Sequence, residues 1–461
     1  MRLTSSGGTG RAPSRAPLPY DSGIEHAEPD EARTAARLRA MMRDIRETTL
    51  RHTGHAQRGL HTKSHGLLEG ELRVPDGLPT PLAQGLFARA GRYPVILRLS
   101  TNRPDVLDDD ISVPRGLSIK VIGVEGERLE GSEGSTTQDF VLVNQPFFTE
   151  PDLRVFARNI RFVDATTQTG LAWKKTLAAA LRPVVAAVRA FGGTAPTLTT
   201  LGGHPLTHPL GETYFSQVPF RHGDYVAKLC LTPASPELRA LRNAPVRLRG
   251  RPNGLRQAVI DFFRTQGGEW ELRAQLRTDP ATMPIEDASA QWPESESPYL
   301  TLARIVVPPQ PAWNEARARR VDDGLAFNPW NGLAAHRPLG SVNRARRQAY
   351  AQSSAFRAEH NRCPIHEPVG RPALPGDPPE TYGTDPGREG RRRGTPDALP
   401  GRWATPMRPT AQALHAVVLG ALVLTGGGLV RSAIRPVLPR LLLAGALGWA
   451  LRGLAWRPPQ P

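Results

Sequence analysis

The sequence predicts an α+β fold: an antiparallel β-barrel with surrounding helices, followed by a C-terminal apolar helical tail. Three observations predict it. Short runs of β character recur between Pro, Gly and Asp punctuation. No regular helical pattern alternates with them, which argues against a parallel βαβ sheet. The C-terminal text then shifts sharply to long apolar stretches.

Residues 1–29 lack an apolar core of the secretory type and read as a disordered arm. From Glu31 to His52 the spacing of Leu38, Met41, Met42, Ile45 and Leu50 gives one helical stripe. The runs GLLEGELRV, YPVILRLST, LSIKVIGV and DFVLVNQPFF then read as strands. So do ETYFSQVPF, DYVAKLCLTP, QAVIDFFRTQ with GGEWELRAQLRT, and YLTLARIVVPP. In several of them alternate residues are apolar, as a strand with one face in a core requires. The charge-rich and Ala-rich text from Asn314 to Glu359 is expected to be helical or irregular and to wrap the outside.

A globular domain is therefore expected over 30–366. The Pro-, Gly- and Arg-rich text of 367–410 cannot pack a core and reads as a linker. Residues 411–456 are expected to anchor the chain to a membrane. Ala413 to Val430 carries no Asp, Glu, Lys or Arg and is just long enough to span when extended to Ala411. Val437 to Leu451, interrupted by Pro439 and Arg440, suits a second span, a re-entrant piece or an interfacial helix.

The formal charge is +16, and only five of the 59 basic residues are Lys. Without zinc-finger spacing or an RNA-binding aromatic signature, a nucleic-acid partner is not expected. Anionic lipid or plain Arg-rich usage accounts for the charge equally well. Cys230 and Cys363 cannot build a disulfide framework. The expectation is a membrane-associated chain with a cytoplasmic globular domain.

Three short motifs follow in order: Arg58-Gly-Leu-His61-Thr-Lys63, Arg98-Leu-Ser100-Thr101 and Asn144-Gln-Pro146-Phe-Phe148. The inventory suits a buried site for a flat, dianionic aromatic cofactor with room above it for a peroxide. His61 could take a proton from a peroxide and return it to the departing oxygen. Ser100 could fix the imidazole tautomer, and Asn144 could polarise a peroxide oxygen. Phe147, Phe148 and Phe156 could pack a porphyrin edge or face. Taken singly, each of these residues also has an ordinary structural reading.

The order HTKSHG, RLST, VPRGLSIKV and VNQPFF resembles the haem catalase family, in its compact, divergent branch. The similarity runs from about Arg58 to Arg357 and includes MPIEDASAQWPE and LARIVV. The resemblance implies a catalase-like barrel carrying haem b and acting on hydrogen peroxide or an organic hydroperoxide. It makes His61 the distal acid/base, Ser100 its partner, Asn144 the peroxide-positioning amide, and Arg58 and Arg98 the propionate-binding arginines.

By the same resemblance, Arg346-Arg-Gln-Ala-Tyr350 with Arg357 seven residues on would supply the axial iron ligand, Tyr350 as phenolate. Arg346, one helical turn earlier, would favour that phenolate. The family's Phe before this Tyr and its Pro-Asp after it are missing, and His336 is a competing ligand. Leu60 stands where relatives acting on fatty-acid hydroperoxides carry Thr. Two other functions stay open: a fatty-acid hydroperoxide isomerase or lyase, and a non-enzymatic haem-binding membrane protein. The partners expected are a small peroxide or lipid hydroperoxide, the membrane and a second copy of the chain.

Overall fold

The computed structural model describes residues 15–167, 171–190 and 196–376. The stretches 377–410 and 411–456, read as linker and anchor, lie outside the described residues. No helix among the described residues is long and apolar enough to cross a membrane.

Nine antiparallel strands form one sheet: β1 (Ser64–Val74), β2 (Gly91–Thr101), β3 (Arg115–Ile122), β4 (Thr137–Val143), β5 (Tyr214–Phe215), β6 (Phe220–His222), β7 (Tyr225–Pro233), β8 (Gly268–Leu276) and β9 (Leu300–Val307). The pairing order is β5-β4-β3-β2-β1-β9-β8-β7-β6, and β5 also pairs with β7. That last pairing joins the two ends and closes an eight-stranded barrel, with β6 as an extra strand on β7. Closure removes the exposed edges that an open sheet would present.

Strand alternation sorts the side chains. Leu97 and Leu99 of β2, Leu117 and Ile119 of β3, and Phe140 and Leu142 of β4 enter the barrel core. The residues between them point outward: Arg98 pairs with Ser118 and Ser118 with Val141, while Ser100 pairs with Gly116 and Gly116 with Val143. Two cross-strand rows of mostly small outward residues thus form a shallow platform on the barrel wall.

Helices cover this platform. The N-terminal helix Glu31–Thr53 matches the expected stripe, burying Leu38, Met42 and Ile45. These pack with Leu153, Ala157 and Ile160 of the helix Leu153–Thr167, and with Ala345 and Ala349 of the helix Ser341–His360.

Three expectations are corrected. QAVIDFFRTQ is not a strand: Gly254–Phe263 is a helix burying Leu255, Val259 and Phe263, a four-residue spacing that its β-type residues disguised. The expected arm to residue 29 is packed from Arg15 on, because Tyr20 and Ile24 join Val226, Ile285 and Trp292. At the other end, residues 367–376 also belong to the body: Glu367 receives hydrogen bonds from Lys120 and Thr137, and Leu374 packs with Leu67 and Phe327.

Candidate functional site

A pocket lies between the platform and the helices. His61, Arg58, Arg98, Ser118, Val141, Phe327, Tyr350 and Arg357 all line it, with Met42 and Ala349 from the helices. His61 and Tyr350, 289 positions apart in the sequence, therefore share one space.

His61 sits in the link between the N-terminal helix and β1 with a φ of 55°, a left-handed conformation that His adopts more readily than most residues. Thr62 fixes the link: its hydroxyl donates to the carbonyls of Arg58 and Pro104, 2.8 Å each. The imidazole lies against Gly116, where a Cβ would come within 2.2 Å of Nδ1. Nδ1 is 3.2 Å from the Ser100 hydroxyl, the pairing partner of Gly116. Burial, and then the nearby guanidiniums of Arg98, Arg346 and Arg58, push the His61 pKa down to about 3. The ring is neutral at physiological pH and able to accept a proton.

Three guanidiniums converge on residues 321–325. Arg58 Nη2 donates to the carbonyls of Val321 (3.1 Å), Asp322 (3.1 Å) and Leu325 (2.9 Å). Arg98 Nε donates to the Asp322 carboxylate at 2.7 Å, and its Nη2 to the Thr62 carbonyl at 3.1 Å. Arg357 donates to the carbonyls of Asp322, Asp323 and Leu325. A π-helical turn, Arg319–Asp323, presents several of these acceptors; such turns often occur at functional sites.

The three cations lie near the Asp322 carboxylate, which pairs with Arg98, and that of Asp323 also acts on Arg58 and Arg357. Burial and mutual repulsion lower the pKa of Arg58 well below its ordinary value and push that of Arg357 down to about 10. The Nε atoms of Arg58 and Arg357 are buried without a hydrogen-bond partner. An incoming dianion would relieve the repulsion and meet these donors. The donor set fits a flat cofactor bearing two carboxylates.

In the helix Ser341–His360, Tyr350, Ser353, Ser354 and Arg357 follow one another at i, i+3, i+4 and i+7, the spacing of a single helix face, and all line the cavity. The Tyr350 hydroxyl makes no hydrogen bond to any of the described residues. Arg346, one turn earlier, donates to Asn343 Oδ1 at 3.1 Å, and its guanidinium lies 5.8 Å from the Phe148 ring centre. Phe148 meets Phe156 edge-on at 5.1 Å. Neither ring lines the cavity; Phe156 packs against the helix cluster that Leu60 also meets.

Asn144 and His336 are placed elsewhere. Asn144 Oδ1 accepts the Arg115 amide at 2.7 Å. Its Nδ2 donates to the Glu212 carboxylate and lies 2.9 Å from His204 Nε2. His204 Nδ1 is 2.8 Å from the Pro205 carbonyl and so carries the proton, which leaves Nε2 to accept. Both amide protons of Asn144 are thus spent, and it does not line the cavity. His336 is buried among Phe87, Phe140, Phe220 and His222 at 5.5–6.0 Å. Its Nε2 accepts the Leu86 amide at 3.0 Å, and the competing ligand is remote from the cavity.

Gly116, Ser118, Val141, Asp322 and Phe327 were not singled out by the sequence as site residues. VPRGLSIKV stood out as a motif, but the platform role of Gly116 and Ser118 depends on strand register.

No family model matches the sequence, and no curated protein matches it. Among solved structures the chain is similar to a fungal catalase (15% identity, 79% of this chain and 75% of that one, TM-score 0.48). It is also similar to catalase A from Saccharomyces cerevisiae (15% identity, 84% of each chain, TM-score 0.49). A third similarity is to a bacterial catalase (16% identity, 89% of this chain and 84% of that one, TM-score 0.45).

Proposed function

We propose that this chain is a haem-dependent oxidoreductase that reduces hydrogen peroxide or an organic hydroperoxide. One observation carries the reading. One pocket is lined at once by a neutral imidazole, a phenol that makes no hydrogen bond among the described residues, and three guanidiniums, one of them paired with Asp322.

Haem b, when bound, supplies the redox centre on which the O–O bond is cleaved. Tyr350 would hold the iron as phenolate. Arg58, Arg98 and Arg357 would hold the two propionates through paired N–H donors. His61 accepts the proton of the bound peroxide at its ring nitrogen and returns it to the departing oxygen. Ser100 orients the ring, and Gly116 leaves room for it. Asn144 acts at one remove: its spent amide braces the Arg115 backbone beside Gly116.

A fatty-acid hydroperoxide isomerase or lyase is the second reading, favoured by the apolar margin that Met42, Leu60, Val141 and Phe327 give the cavity. Full-length protein titrated with haem, then assayed with hydrogen peroxide and with a fatty-acid hydroperoxide, separates the readings. Peroxide reduction that falls about 10²–10⁴-fold in His61→Ala, with haem retained, supports the first. Turnover of the fatty-acid hydroperoxide alone supports the second, and no haem uptake sinks both.

A further inference from the structure

We infer that Trp313 is the port through which a phenolic one-electron reductant feeds electrons to the cofactor cavity, with Ser64 and Asp322 moving the indole proton. The inference rests on the haem–peroxide reading and adds the electron source that reading lacks.

Trp313 Nε1 donates to the Ser64 hydroxyl at 2.9 Å. That hydroxyl donates to Asp322 Oδ2 at 2.7 Å, and Asp322 Oδ1 accepts Arg98 Nε at 2.7 Å. Arg98 lines the cavity. A second link is through packing: the half-buried indole packs against the cluster that holds Phe327, another lining residue. Other tryptophans with described side chains end differently. Trp292 and Trp330 donate to backbone carbonyls, and the buried Trp270 Nε1 has no partner.

The Arg256 guanidinium lies 3.6 Å from the centre of the Trp313 ring. A fixed cation there opposes a positively charged indole, so an oxidised ring is driven to release its Nε1 proton. The Ser64–Asp322 chain is placed to take it. In the proposed step Trp313 gives one electron to the oxidised cofactor. Its Nε1 proton passes to Ser64 as the Ser64 hydroxyl proton passes to Asp322. The phenol then returns one electron to the indolyl radical and releases its own proton to solvent, and the Asp322 proton travels back to Nε1. Two such cycles supply the two electrons that, with two protons taken up from solvent, reduce one hydrogen peroxide to two waters and leave two phenoxyl radicals. The demand for an outside reductant agrees with the spent amide of Asn144, which cannot hold a second peroxide by donating to it.

The test uses the full-length, haem-loaded chain mixed with hydrogen peroxide and frozen within milliseconds, with ring-deuterated tryptophan to assign the radical by EPR. Wild type is expected to show an indole radical that Trp313→Phe lacks. Guaiacol oxidation should fall at least tenfold in that variant, while the spectral change on adding peroxide keeps its rate. Trp313→Tyr, which restores an oxidisable ring, should recover guaiacol oxidation with a tyrosyl signal; a purely structural role would not follow redox activity in this way. Equal radical yield and equal guaiacol rate in Trp313→Phe would overturn the inference alone. Absence of any spectral response to peroxide in wild type would overturn the haem–peroxide reading and this inference with it.

Discussion

The His61 imidazole rests directly on Gly116: a methyl group on that residue would sit 2.2 Å from Nδ1 and 3.1 Å from the Ser100 hydroxyl. Side-chain size on β3 therefore sets the position of a ring carried by a separate segment. Gly116→Ala should leave the barrel folded and haem bound, because the displaced group is one side chain. Peroxide turnover should fall about 10²-fold, the usual scale for a catalytic group moved by about an ångström. Unchanged turnover would show that the ring does not work from this position.

Among the described residues Asp322 is the carboxylate that pairs with a cavity arginine, and Arg98, its partner, is 1% exposed. Asp322→Ala leaves that guanidinium buried without its counter-charge, at a cost of about 3 kcal/mol. Thermal unfolding should shift down by roughly 4 °C. Asp322→Asn, which keeps an acceptor for Arg98 Nε, should lose less. Equal loss in both variants would mean that charge alone matters.

Acid should destabilise this protein over the range in which histidines titrate in the unfolded chain. Burial is the largest cause that lowers the pKa of His61 to about 3 and those of His208 and His222 to about 4, and it takes His65 and His336 well below their ordinary value. In the unfolded chain each titrates near 6.5. As pH falls from about 6.5 toward 4 the unfolded state binds protons that the folded state refuses, so stability falls. Each group contributes up to about 1.4 kcal/mol per pH unit. Urea unfolding at pH 7, 6 and 5 should show a steadily falling midpoint; a flat midpoint would contradict these buried, neutral histidines. The same His61 value predicts no loss of catalysis with an inflection near 6.5.

Much of this architecture was legible in the residues. The stripe of Leu38, Met42 and Ile45 marked the first helix, and the alternating runs marked most barrel strands. His61, Ser100, Arg58, Arg98 and Tyr350 were legible as site candidates, and one cavity gathers four of them, with Ser100 holding the His61 ring. The misses have a common physical cause. The platform of Ser118, Val141 and Gly116 depends on which residues stand opposite one another, and sequence spacing does not carry that register. Asp322 looked like one acid in a charge-rich stretch; only the turn around it aims it at Arg98. The carboxamide of Asn144 was spent by Glu212 and His204, neither of which is its neighbour in sequence. In QAVIDFF, local β preference lost to the four-residue spacing of Leu255, Val259 and Phe263, which buries one helix face.

The central claim is that Tyr350 would hold haem iron in the pocket that His61 also lines. The most direct measurement is the absorption spectrum of the full-length chain after haem loading, recorded for wild type and for Tyr350→Phe. The account predicts a high-spin, phenolate-type spectrum in wild type that is lost in the variant, while His336→Ala leaves the spectrum unchanged. A spectrum that survives Tyr350→Phe and collapses in His336→Ala would contradict it.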